Sequence, residues 1–160
     1  MSTRSNIAIK MDDGRIRAIY CHYDGYLECV GEILAEHYTD PEKINALIDL
    51  GAISSLYPEV GDKHSFKERR DLVMKENEQI WADWTLAYHR DRGDDWSSCA
   101  PKTYNNMNDF VNDAVSELGA NFVYLWDREW TYCTSKDIEN NNLAFEPVSS
   151  NIEQGNEKDR

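Results

Sequence analysis

Alternation of apolar and polar residues predicts a β-hairpin at the start of the chain. Residues 5–11 alternate, and the same pattern returns over residues 15–21 after the sequence Asp-Asp-Gly at 12–14. Asp-Gly between two alternating runs is a strong short-range hairpin signal. Residues 122–126 and 130–134 are a second such pair of runs, so a second hairpin is expected late in the chain.

A period near 3.6 residues predicts three helices between these hairpins. The second helix has the clearest start, because Asp40 offers a capping oxygen directly before Pro41, and Gly51 marks its end. The third is expected to be capped by Asn108 and to end at Gly119. The apolar positions of the three helices, in chain order, are Leu27, Val30, Leu34 and Tyr38; Ile44, Leu47 and Ile48; and Phe110, Val111, Ala114, Val115 and Leu118.

The middle of the chain is less regular. Residues 52–56 and 85–89 are expected to be short strands, the latter ending in a charged turn, and residues 63–79 are expected to be a solvated helix. The order of elements predicts an α+β fold, with an antiparallel sheet of about five strands and two to four helices mainly on one face. Residues 1–134 are expected to form a single domain, and the acidic, Asn- and Glu-rich residues 135–160 a mobile tail.

The net charge of the chain indicates which kinds of molecule it is expected to bind. The chain has 30 acidic and 17 basic residues, for a formal net charge of −13. Such a surface repels nucleic acid and anionic membranes, so direct binding to either is not expected. The charge favours solubility first, and it is compatible with a basic protein partner or with imitation of a nucleic acid. Self-association is left open.

Targeting and cysteine signals point to a cytoplasmic protein. The start of the chain is polar, and no apolar run approaches the roughly 20 residues that a spanning helix needs. The cysteines stand singly, which argues against a disulfide framework and against a structural zinc site. They are Cys21, Cys29, Cys99 and Cys133.

Two similar polar segments supply the candidate site, and each carries His-x-Asp before a glycine. Side chains at i and i+2 of a strand leave the same face, so His22 should point with Asp24, and His89 with Asp91. The hypothesis requires the two strands to be neighbours, so that both imidazoles open onto one pocket. The predicted ligand-binding residues are Tyr20, His22, Asp24, Tyr26, His89, Arg90, Asp91 and Arg92.

Anion binding is the favoured interpretation of this site. Arginine binds phosphate bidentately, and Arg90 and Arg92 stand out in an acidic chain. The nearby tyrosines offer faces on which a base can stack, so the predicted partner is a nucleotide-like small molecule bound without chemistry. The alternative is that both arginines pair with Asp91, Asp94 and Asp95 in a solvated loop.

Catalysis is the second interpretation. A histidine oriented by a carboxylate is what a general base requires, and two His-x-Asp pairs offer zinc or manganese an N2O2 ligand set. No nucleophile occupies a recognisable elbow, and arginine charge would lie beside the ion, so no metal and no cofactor is predicted. A small metal- or His-dependent hydrolase acting on a phosphate-containing substrate remains the alternative. A third hypothesis is an acidic DNA mimic, because Glu28, Glu32 and Glu36 form a stripe of carboxylates on the predicted first helix.

Several of these segments resemble a family of small, uncharacterised bacteriophage proteins. The resemblance covers most of residues 1–134, while 63–82 and the tail look particular to this chain. It implies an accessory phage protein that acts in the host cytoplasm and counters a bacterial defence, by sequestering a ligand or by inhibiting a host protein. It carries no catalytic residues across. The segments that carry it are Met1 to Ile9, Tyr20 to Tyr26, Val30 to Tyr38, His89 to Gly93 and Tyr124 to Trp126.

Overall fold

The computed structural model describes residues 3–67 and 83–149 and confirms both predicted hairpins. Strands β1 (Ser5–Lys10) and β2 (Ile16–Cys21) are antiparallel, with Ser5 opposite Cys21 and Lys10 opposite Ile16. Gly14 in their turn has a φ of +88°, a conformation that favours glycine. The local turn chemistry read from the sequence therefore specified this hairpin.

The sheet is mixed and larger than predicted, with eight strands in the described part of the chain. The other strands are β3 (Ile53–Ser55), β4 (Leu86–Ala87), β5 (Lys102–Tyr104), β6 (Phe122–Trp126), β7 (Trp130–Thr134) and β8 (Glu146–Pro147). Their order is β4-β3-β2-β1-β6-β7-β8, and β5 pairs with β2. Because β1 pairs in parallel with β6, and β2 with β3, the expected antiparallel sheet of about five strands is wrong, although the α+β class holds.

The helices are short, and six α-helices lie in the described ranges. Their bounds are α1 (Glu32–His37), α2 (Pro41–Asp49), α3 (Tyr88–Arg92), α4 (Trp96–Cys99), α5 (Met107–Asn112) and α6 (Ser135–Glu139). A π-helical turn, Leu27–Gly31, leads into α1, and a second one, Asp113–Glu117, continues α5.

Helix caps follow the expected chemistry, with one change of position. Asp40 caps α2 as predicted and accepts the N–H of Glu42. Helix α5 is capped by Asn106, two residues before the predicted Asn108, and its side chain accepts the N–H of Asp109 at 2.9 Å. Asn106 has the extended backbone that a capping residue needs, which moves the start of the helix forward.

Helices cover both faces of the sheet, so the expectation of helices mainly on one face is wrong. Helices α1 and α2 pack against Ile7, Ile9 and Ile19, whereas α5 packs against Ala8 and Val123 on the other face. The physical reason lies in the central strands: β1 carries apolar residues at consecutive positions, and both of its sides must therefore be covered.

The packed part of the chain extends past residue 134, where the tail was expected to begin. Helix α6 buries Ile138, and β8 adds to the edge of the sheet beside β7. Val148 is 0% exposed and belongs to the core under α1 and α2. Residues 150–160 of the expected tail, and most of the helix expected over 63–79, fall outside the described residues. No helix in the described part has the length and apolar character needed to cross a bilayer.

Candidate functional site

The second His-x-Asp motif lies on a helix, not at the end of a strand. Only Leu86–Ala87 forms the predicted strand, and Tyr88–Arg92 is helix α3. A helix turns by about 100° per residue, so His89 and Asp91 point in nearly opposite directions. Accordingly His89 is exposed and Asp91 is buried, and the expectation that they share a direction is wrong.

Arg90 and Asp91 form a structural pair in which Asp91 is buried and Arg90 is largely buried. The guanidinium of Arg90 donates to both carboxylate oxygens of Asp91, at 2.9 and 3.1 Å. Its remaining hydrogen bonds go to the carbonyl oxygens of Val60, Gly61 and Thr85. These five bonds engage all three guanidinium nitrogens, so the pair joins segments of the fold and is poorly placed to bind a ligand.

Arg92 and His89 face solvent but are tied to neighbours. Arg92 binds Asp94 in a bidentate pair, with both N···O distances 2.8 Å, and its guanidinium lies 4.5 Å from the ring centroid of Tyr88. Nδ1 of His89 lies 2.7 Å from the carbonyl oxygen of Asp94. The alternative to anion binding was that the arginines pair with nearby aspartates. The structure shows such a pair between Arg92 and Asp94.

The first motif does continue from the end of a strand. The N–H of His22 donates to Ile53, which extends the pairing with β3, and the hydroxyl of Tyr20 lies 2.7 Å from Nδ1 of His22. Asp24 has a φ of +56°, so the extended backbone ends there, and the i, i+2 relation to His22 is not kept. Tyr26 is 40% exposed just before the first helical turn.

The two motifs do not sit on neighbouring strands. Cys21 of β2 pairs with Ile53 of β3, and Ile53 pairs with Ala87 of β4, so β3 separates them. The postulated pocket between adjacent strand ends is therefore wrong. Across residues 3–67 and 83–149, no three or more His, Cys, Asp or Glu side chains are grouped to hold a metal ion.

A different pocket contains one of the predicted residues. It has a volume of about 250 Å³ and lies on the face of the sheet that α5 covers. We call it the Asn6 pocket. Its strand residues are Asn6, Ala18, Ile19 and Tyr20, and its walls are Ala52, Ser98, Cys99, Ala100, Lys102, Tyr104, Glu117 and Leu118.

Asn6 is the unusual residue of this pocket. It is 1% exposed, and its Oδ1 has no hydrogen-bond partner in the described chain. Most buried polar atoms are paired, and an unpaired one costs about 1–3 kcal/mol. Ser5 Oγ is also unpaired, but alternation along β1 places it on the opposite face. Asn6 therefore places one unpaired carboxamide oxygen among the residues that line this pocket, which makes it the candidate ligand-binding residue.

Two polar side chains of the pocket walls, Tyr104 and Lys102, are both engaged with Asp113. The hydroxyl of Tyr104 donates to the carboxylate of Asp113, which also pairs with Lys102 at 3.3 Å. Burial, and then this bond to Asp113, raise the pKa of Tyr104 well above its usual value, so the hydroxyl stays protonated. Tyr104 therefore presents its ring to the pocket. Other polar side chains of the lining are Ser98, which donates to the carbonyl oxygen of Asp95, the exposed Glu117, and Asn6.

A larger groove, of about 720 Å³, lies at the other end of β1 and is a weaker candidate. It is lined by charged and polar residues that include Lys10, Asp127 and Arg128. Lys10 and Asp127 already form an ion pair of 3.6 Å. Neither of the two buried unpaired side-chain atoms of the described chain belongs to its lining, so nothing comparable to Asn6 marks it as a site.

Sequence reasoning found Tyr20 but missed Asn6. A weak signal was present, because asparagine is depleted in strands and Asn6 falls inside the predicted first strand, directly before its apolar residues. Tyr104 and Leu118 carried no comparable signal. They reach the pocket from elements distant in sequence, and only the folded chain brings them to it.

Comparison with known proteins assigns no family to this chain. No family model, no curated protein and no solved structure matches it. The function proposed below therefore depends on the residues and geometry of the chain itself.

Proposed function

We propose that this protein binds a nucleotide-like small molecule in the Asn6 pocket and holds it without chemical conversion. The observation that carries the proposal is the buried Oδ1 of Asn6, which has no hydrogen-bond partner in the described chain. A carboxamide offers a donor and an acceptor side by side, which is how asparagine recognises the edge of an adenine base. A flat heteroaromatic ring with polar edges satisfies this amide, whereas a purely apolar ligand leaves it unpaired.

The shape of the pocket supports a ligand of this size. Its volume of about 250 Å³ lies just below the roughly 300–1,000 Å³ of sites for drug-sized molecules, so it suits a single ring system. Tyr20 and Tyr104 contribute aromatic surface, on which bases stack. The small side chains of Ala18 and Ala52 leave room between them.

The lining groups favour binding over turnover. The hydroxyl of Tyr104 and the amine of Lys102 are both directed to Asp113, and neither His22 nor His89 lines the pocket. The lining does include the carboxylate of Glu117 and the thiol of Cys99, but no hydrogen bond joins them in the described part of the chain, as it would join a general base to its nucleophile. The hydrolase alternative therefore has less support than the binding protein.

The DNA-mimic alternative also has less support. Such a mimic needs carboxylates spread over one continuous face, whereas basic side chains interrupt the acidic surface of the described chain. Examples are the ion pairs Lys10–Asp127, Arg17–Asp49 and Lys43–Glu59.

Sequestration fits the role that the bacteriophage resemblance implies. A protein that counters a defence by removing a nucleotide-like signal needs affinity alone, and the Asn6 pocket offers a place for it. The resemblance also implied inhibition of a host protein as an alternative, and that alternative remains a prediction.

Calorimetric titration with adenosine, guanosine, cytidine and uridine tests the proposal. We expect at least one nucleoside to bind, and Asn6→Leu to weaken its binding tenfold or more. The variant should fold, because it removes a buried oxygen that has no partner in the described chain, without a large change in volume. Asn45→Leu makes the same chemical change at an exposed position of α2 and should bind normally. Equal binding by a folded Asn6→Leu would refute the proposal, and so would absence of binding by all four nucleosides and by their 5′-monophosphates.

A further inference from the structure

Arg4 is held beside the Asn6 pocket by its backbone. Its N–H donates to Oδ1 of Asn121 at 3.1 Å, and its carbonyl oxygen accepts the N–H of Asn121 at 2.8 Å. Residues two apart along an extended chain share a face, so Arg4 shares one with Asn6, about 7 Å further along. The side chain therefore starts from a fixed point next to the pocket.

The guanidinium of Arg4 lies against the end of one pocket wall. A Cβ added at Gly119 would lie 3.2 Å from Nη1 of Arg4, and Gly119 directly follows Leu118, which lines the pocket. Gly119 has a φ of +69°, so this position favours glycine for conformational reasons as well. The absence of a side chain at Gly119 leaves space for the guanidinium one residue beyond Leu118 of the pocket lining.

Arg4 differs from most other arginines of the described chain because no carboxylate pairs with it there. Arg15 pairs with Asp13, Arg17 with Asp49, Arg90 with Asp91 and Arg92 with Asp94. In a chain with a net charge of −13, an arginine without such a partner is a local source of positive potential. Arg128 also lacks one, but it lies at the tip of the β6–β7 hairpin and lines the larger groove.

His22 and Tyr20 connect this cation to the pocket. The β1–β2 register, with Ser5 opposite Cys21, places Arg4 opposite His22, and His22 is in turn hydrogen-bonded to Tyr20 of the pocket lining. Burial first, and the charge of Arg4 second, lower the pKa of His22. Both causes disfavour the protonated imidazole, so they reduce its competition with Arg4 as a second cation.

We infer that the ligand of the Asn6 pocket carries a phosphate, which Arg4 binds at the mouth of the pocket while Asn6 recognises the base. The inference depends on the proposed function and specifies its ligand as a nucleoside monophosphate. Arginine is suited to this role because its planar fork binds phosphate through two parallel hydrogen bonds. A pocket of about 250 Å³ holds the ring system and leaves the phosphate outside, toward Arg4.

The test compares each of the four nucleosides with its 5′-monophosphate by calorimetric titration. We expect the wild type to bind the monophosphate about tenfold more tightly than the nucleoside, the scale of one charged hydrogen-bonded contact. Arg4→Gln should remove this preference and leave nucleoside affinity within about twofold. Arg128→Gln, the matched control, removes an equally unpaired arginine elsewhere and should keep the preference. Raising the salt concentration should reduce the preference in the wild type.

The outcomes separate this inference from the proposed function. Nucleoside binding without a preference for the monophosphate, or a preference that survives in Arg4→Gln, would overturn the role of Arg4 and leave the binding proposal in place. If neither nucleosides nor monophosphates bind, the proposed function falls and this inference falls with it.

Discussion

The carboxylate of Asp91 accepts both arms of the guanidinium of its sequence neighbour, Arg90, and is completely buried while doing so. The same carboxylate accepts the N–H groups of His64 and Ala87, at 3.1 and 2.7 Å. Arg90 and Asp91, which the sequence suggested as ligand-binding residues, therefore connect helix α3 to residues 60–64 and to β4. Their side chains are committed to protein partners.

Removing the Asp91 carboxylate should lower the unfolding free energy substantially. Asp91→Ala leaves a largely buried guanidinium and two backbone donors without their acceptor, so we expect a loss of about 3–5 kcal/mol in unfolding free energy. Urea denaturation measures it. Asp94→Ala breaks the exposed pair with Arg92 and serves as the control, with a much smaller effect. Equal effects from the two substitutions would show that burial of the Asp91 pair has no energetic consequence.

The turn of the second hairpin stores strain at Arg128, which has a φ of +70°. A non-glycine residue in this region costs about 1–2 kcal/mol, and the entropy cost of glycine offsets about half of that. Arg128→Gly should therefore raise the unfolding free energy by about 0.5–1 kcal/mol in thermal or urea denaturation. Arg128→Ala removes the same side chain but keeps the Cβ, and it should give no such gain. A gain of equal size from alanine would contradict a backbone origin.

His22 should titrate below the ordinary histidine pKa, which is about 6.5. Burial is the larger cause and the charge of Arg4 the smaller one, so Arg4→Gln should raise the pKa of His22 only part of the way back. Imidazole NMR signals, assigned with a His22→Gln variant, measure both values. An unchanged pKa in Arg4→Gln would place the guanidinium farther from the ring than the structure does.

The same shift gives a pH dependence with a definite sign. Between the folded pKa of His22 and its unfolded value of about 6.5, the unfolded chain binds more protons than the folded chain. The contribution of His22 to the unfolding free energy therefore increases as pH rises through this window and is complete above it. Comparison of wild type with His22→Gln by denaturation at several pH values isolates this contribution, and the opposite slope would contradict the lowered pKa.

The segment after residue 134 should be needed for stability. A chain ending at Thr134 loses the buried side chains of Ile138 and Val148. Burial of a side chain of this kind stabilises the folded state by about 1.5–3 kcal/mol. We expect a loss of about 3 kcal/mol or more in unfolding free energy, or failure to fold. A chain ending at Ser149 keeps these contacts and is the comparison. If the two truncated chains are equally stable, residues 135–149 do not belong to the core.

Predictions made from short-range signals were the most successful. Both hairpins formed at the predicted positions, and α2 has its cap at Asp40 and its buried stripe at Ile44, Leu47 and Ile48. Turn residues, capping oxygens and apolar periodicity act within a few positions of one another. Their energies are therefore decided locally, whatever the rest of the chain does.

Predictions that depended on distant contacts were less successful. The sequence around His89 resembles the end of a strand, yet the chain turns into a helix after Ala87, where Asp91 reaches back to accept the N–H of that residue. The benefit of burying Arg90 and Asp91 against residues 60–64 exists only after those segments meet. Local secondary-structure propensity therefore does not include this contribution to the free energy.

The sequence by itself determined where this chain turns, where α2 begins, which residues are apolar enough to be buried, and that its class is α+β. Only the tertiary structure decided that β3 separates β2 from β4, that helices cover both faces, and that Asn6, with its unpaired Oδ1, lines one pocket with Tyr20 and Tyr104. The reason is physical. Strand order and pocket walls arise from hydrogen bonds and burial between residues far apart in the chain, and no local pattern encodes those energies.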